Sequence, residues 1–126
     1  MPRLLVAAAL LALAVGCSRP GAEDDGVRLE MSVTPRPPAA GSVQIEIRIR
    51  DAQGRPLAAT GMELEATMSH PGMVPTFATA RSEQPDRWLA EIELTMGGDW
   101  VVLVDARLED GRAIRRTIPL PGVEPR

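Results

Sequence analysis

The chain has 126 residues, a formal net charge of −3 and a single cysteine, Cys17. One cysteine excludes an internal disulfide and an all-cysteine zinc site, and so mild an acidity argues against nucleic acid as a partner. Every basic residue is arginine, which alongside the abundance of Ala and Pro reads as compositional bias rather than as a binding patch.

The chain opens with Arg3, an unbroken apolar run from Leu4 to Val15, then Gly16-Cys17. A basic residue, a short apolar stretch and a small-residue exit form a secretory signal. The run is shorter than the roughly 20 apolar residues that a permanent membrane helix needs. Its end, Ala14-Val15-Gly16-Cys17, resembles the lipobox of bacterial lipoproteins, with Ala14 where Leu is usual. This predicts a cleaved signal peptide over residues 1–16 and lipidation of Cys17, which explains a lone thiol in an oxidising compartment. Ser18 stands where an inner-membrane retention signal would carry Asp, so by analogy outer-membrane sorting is favoured over inner. Removing the signal leaves about 110 residues, enough for one domain with one core. Losing Arg3 takes the charge from −3 to about −4.

Residues 17–26 (CSRPGAEDDG) are polar and acidic and read as the lipidated cysteine with a flexible tether. From Val27 the pattern becomes alternation. Val27, Leu29, Met31 and Val33 form one strand face, and Val43, Ile45, Ile47 and Ile49 form the next. A third strand carries Met62, Leu64, Ala66 and Met68, and a shorter fourth runs over Thr76 to Arg81. Trp88, Ala90, Ile92, Leu94 and Met96 mark the fifth. Gly97-Gly98 offers a tight hairpin, Trp100 to Leu108 is a mid-sheet strand, and Asp110-Gly111 is a second hairpin before Ala113 to Leu120. Seven strands with turn signals every 8–12 residues or so predict an all-β, seven-stranded immunoglobulin-like β-sandwich over residues 27–121, with a loose tail at 122–126.

One stretch carries chemistry. Met68-Ser69-His70-Pro71-Gly72-Met73 contains the only histidine. On a continuing strand, Met68 and His70 share a face, and Pro71-Gly72 can turn Met73 back toward them. If successive strands alternate in direction, this connection and the turn after Met96 meet at one pole, near Trp100. Thioether and imidazole donors together suit copper, Cu(I) above all. Met68 and Met96 also fall on the inward parity of their strands, where methionine serves as core filler, and a single loop histidine is ordinarily a surface residue.

The segment Met68–Val104 resembles the YtkA-like domains, which are related to FixH proteins. The shared pieces are Met68, Met73 and Pro75, the small residues Ala78 and Ala80, Arg87-Trp88, and Met96-Gly97-Gly98-Asp99-Trp100, within about Gly54 to Val104. The resemblance implies an immunoglobulin-like sandwich in the periplasm or on the outer face of the inner membrane, associated with copper handling or cytochrome oxidase assembly. FixH proteins are held by a transmembrane helix, whereas this sequence carries a lipidation signal.

The inventory speaks against an enzyme. Ser69 adjoins His70 and faces away from it on a strand, lipidation occupies the only thiol, and Glu63 and Glu65 read as a solvated strand face. Two functions follow as expectations. One is a membrane-anchored copper-binding module with Met68, His70, Met73 and Met96 as ligands, serving a membrane or envelope protein. The alternative is a non-metal interaction module that docks onto an envelope or efflux complex.

Overall fold

A computed structural model describes residues 25–126; the expected signal peptide, Cys17 and most of the expected tether lie outside the described residues. Eight strands follow in order: β1 (Val27–Thr34), β2 (Gly41–Asp51), β3 (Ala59–Thr67), β4 (Thr76–Thr79), β5 (Arg81–Gln84), β6 (Arg87–Leu94), β7 (Gly98–Leu108) and β8 (Ala113–Val123). They build two antiparallel four-stranded sheets, ordered β1-β2-β6-β5 and β4-β3-β7-β8, and no helix occurs among the described residues.

The alternation along each strand places its apolar side chains between the sheets. Ile45, Ile47 and Ile49 of β2 face Leu64, Ala66, Val102 and Val104 of the second sheet, all essentially sealed from solvent. Each large aliphatic buried in this way contributes roughly 1.5–3 kcal/mol. The polar residues between them face out. Glu46, for instance, accepts hydrogen bonds from Arg48 (2.8 Å) and Arg87 (2.9 Å), which hold its carboxyl below the ordinary value.

Eight strands replace the expected seven because the stretch from Thr76 to Arg81 serves both sheets. Thr76–Thr79 pairs with β3, while Arg81 and Ser82 pair with β6. Between them Ala80 is buried and donates its N–H to the Met62 carbonyl (2.9 Å). A small residue at the crossing lets the chain pass from one sheet to the other. Alternation alone cannot report this, since the pattern does not name the partner strand.

Two further expectations are corrected. Gly97-Gly98 is not a hairpin: β6 and β7 belong to different sheets, and residues 95–97 carry the chain across the sandwich. Asp110-Gly111 does make a hairpin, with Leu108 and Arg112 paired across it. Nor are residues 122–126 a loose tail. Val123 is buried within β8, the Glu124 N–H donates to the Pro38 carbonyl (2.8 Å), and the Glu124 carbonyl accepts from Ala40 (2.7 Å). The terminal residues thus clip the β1–β2 connection to β8.

At the other end Asp25, expected within the tether, is fastened to the domain. Its carboxylate accepts from Arg116 Nη2 at 2.7 and 2.8 Å and from the Val27 N–H at 2.9 Å. Partial burial pushes this carboxyl up, but the bonds from Arg116 and Val27 outweigh it and hold it below its ordinary value. Arg112 adds a bond to the Asp25 carbonyl (3.1 Å). The domain is therefore entered at the pole of the β7–β8 hairpin.

Candidate metal site at one pole

The opposite pole gathers the β1–β2 connection, the β3–β4 connection, the β6–β7 crossing and the C-terminus. The register fixes this: Thr67 at the end of β3 pairs with Val101, and Leu94 at the end of β6 pairs with Gly41. Thr76 closes the β3–β4 connection by donating its hydroxyl to the Glu93 carbonyl (2.8 Å).

β3 ends at Thr67, so Met68 and His70 do not share a strand face. Met68 turns inward, and its methyl lies against Gly98. His70 is exposed. From His70 to Met73 the chain makes a four-residue turn in which the Met73 N–H meets the His70 carbonyl (3.3 Å). Pro71 sets its second position and Gly72 adopts a φ of 79° at the third, as a type II turn requires. Met73 follows half-buried and packs against the core.

Met96 departs from the inward parity expected of it. β6 ends at Leu94, which is buried, and the crossing turns the Met96 side chain out to 45% exposure. Its backbone is held rigidly all the same. The Met96 carbonyl accepts from Nε1 of the buried Trp100 (2.9 Å), and Gly97 lies so close to Pro125 that a β-carbon there would sit 2.6 Å from the proline nitrogen. Met96 opens onto a shallow cleft of about 350 Å³ shared with Ala40, Glu93, Pro125 and Arg126.

The pole thus carries the exposed imidazole of His70, the exposed thioether of Met96 and the half-buried thioether of Met73 on two connections, with Met68 held inside the packing. No group of three or more His, Cys, Asp or Glu that could hold a metal occurs among the described residues. His70, Met73 and Met96 offer one imidazole nitrogen and two thioether sulfurs, donors of the type that soft ions take.

The sequence reading overlooked one surface. Phe77, the only phenylalanine, is 69% exposed on β4, and Leu103 is exposed on β7. Its signal was an apolar residue on the polar parity of each strand. Glu63 and Glu65 share that outer face, Glu63 accepting from the Thr79 hydroxyl (2.8 Å).

Sheet orders β1-β2-β6-β5 and β4-β3-β7-β8 follow the Greek-key connection of an immunoglobulin-like sandwich with an added edge strand, β4. The class is a binding-type β-sandwich. Residues 21–105 match the YtkA-like family, and the chain belongs to it. The match takes in the β3–β4 connection and the β6–β7 crossing and reaches further toward the N-terminus than the segment that first showed the resemblance. No curated protein and no solved structure matches the chain.

Proposed function

We propose that this protein is a lipid-anchored, extracytoplasmic, non-enzymatic domain that binds Cu(I) through His70, Met73 and Met96 and passes it to a membrane or envelope partner in copper handling or oxidase assembly. The observation that carries this is the placing of exposed His70, exposed Met96 and half-buried Met73 on two connections of one pole. Met68 is a packing residue in this reading, because its methyl fills the space over Gly98.

The clamp on Asp25 supports an orientation. An anchor at Cys17 enters from the far pole, and the eleven residues of β2 span the sandwich, about 35 Å at 3.4 Å per residue. The donors then point away from the bilayer, where a partner's projecting domain can reach them.

Titration with Cu(I) against a competing chelator tests this, using the full chain with and without Cys17→Ser so that a free thiol contributes nothing. Met68→Leu is expected to bind as the native chain does, whereas Met96→Leu and His70→Ala each weaken binding at least tenfold. Affinity no tighter than about micromolar, or native affinity in a His70→Ala/Met73→Ala double variant, overturns the proposal. Loss of membrane association in Cys17→Ser tests the anchor separately.

A further inference from the structure

The outer face of the β4-β3-β7-β8 sheet is built unlike the rest of the surface. Register places Phe77, Glu65, Leu103 and Thr117 in one row across its four strands. The adjoining row is Thr79, Glu63, Asp105 and Arg115. A shallow groove of about 570 Å³ runs over these rows. Two large apolar side chains, Phe77 and Leu103, therefore flank a carboxylate in a position where solvated strands carry polar residues.

The charges in the groove do not cancel. Asp105 is neutralised by Arg115 at 2.8 Å. Glu63 meets only a hydroxyl, and neither it nor Glu65 has a basic partner among the described residues. Arg116 also lines the groove, and its guanidinium is engaged by Asp25. The face thus presents two uncompensated carboxylates between apolar side chains.

We infer that this face is a docking site for an extended segment of another protein whose sheet-facing side chains, at every second residue, read apolar, basic, apolar, the basic side chain meeting Glu65 and the two apolar ones covering Phe77 and Leu103. Every second side chain of an extended segment points to the same side, so such a segment presents all three to the sheet. A long aliphatic stem ending in a cation lies well along Phe77 and places its charge on the carboxylate. Charge disfavours the other occupants. A second copy brings two more carboxylates to the same interface, and an anionic lipid surface is repelled. The face contains none of His70, Met73 and Met96, so the inference stands or falls independently of metal binding.

The test uses the full chain and the seven-residue peptide Ser-Leu-Ser-Arg-Ser-Leu-Ser, compared with its counterpart carrying glutamate in place of arginine. Binding is followed by amide chemical shifts. The basic peptide is expected to perturb β3, β4 and β7, and its glutamate counterpart to leave them unmoved. Glu65→Arg and Phe77→Ser, both at outward positions that leave the core intact, are expected to weaken binding tenfold or more. Glu91→Arg, on the outer face of the other sheet and equal in charge change, is expected to leave it unchanged. Equal losses in Glu65→Arg and Glu91→Arg, perturbation centred on another face, self-association through this face, or binding to phosphatidylglycerol vesicles that Phe77→Ser abolishes would each overturn the inference.

Discussion

The methyl of Met68 lies over Gly98 so closely that a β-carbon at residue 98 would stand 2.7 Å from it. This contact joins the end of β3 to the start of β7 and sets the floor of the pole. Gly98 also has a φ of 127°, a conformation that a residue with a side chain rarely adopts. Gly98→Ala is expected to destabilise the domain by on the order of 1–3 kcal/mol, read as a lowered urea midpoint. The Met68 methyl is the end of a flexible chain and can move aside, so most of this cost resides in the backbone. Shortening Met68 in the same variant is therefore expected to recover little of it.

Trp100 supports the β6–β7 crossing from inside. Replacing it with Phe removes the donor to the Met96 carbonyl and leaves a small void, at a cost of about 1–3 kcal/mol. If Met96 is a copper ligand, Trp100→Phe also weakens Cu(I) binding without altering any donor atom. Unfolding and metal titration on the same variant check both effects.

The C-terminal clip supports the same crossing from outside. Ending the chain after Val123 removes the two backbone hydrogen bonds of Glu124, roughly 1 kcal/mol each, together with the Pro125 backbone beside Gly97. Urea unfolding is expected to show a loss of about 2 kcal/mol. Hydrogen exchange is expected to rise first at Ala40 and across the crossing.

Acid is expected to release the clamp at the opposite pole. The Asp25 carboxyl is held below its ordinary value, so its contribution is fully present above the unfolded pKa of about 3.9 and is lost as pH falls through the lower folded value. Asp25→Asn is expected to cost about 1–3 kcal/mol near neutrality, with the gap from the native chain closing below about pH 4. Glu46, Asp51 and Asp110 are also held low, by Arg48 and Arg87, by the Arg55 N–H and by the Arg112 N–H respectively. Comparing the two proteins across pH removes their shared contribution.

Much of the architecture is legible in the sequence because strand alternation is local. Ile45, Ile47 and Ile49 announce a buried face, Trp100 to Leu108 announces a strand that the structure places between β3 and β8, and Asp110-Gly111 announces its hairpin. The turn at Pro71-Gly72 is likewise readable, since proline fixes its own φ and Gly72 takes a positive one.

What depends on distant partners was not readable. Alternation could not say that Thr76 to Arg81 divides between two sheets, because a strand's pattern is the same whichever neighbour it pairs with. It could not say that β3 stops at Thr67 or that β6 stops at Leu94, which separates the environments of Met68, His70 and Met96. Nor could it show that Glu124 and Asp25 are fastened, since their partners, Pro38, Ala40 and Arg116, are remote along the chain. The sequence by itself determined a two-sheet sandwich of the YtkA-like family with Met68, His70, Met73 and Met96 near one end. Only the tertiary structure decided which of them face solvent, because that follows from where each strand is released by its neighbours.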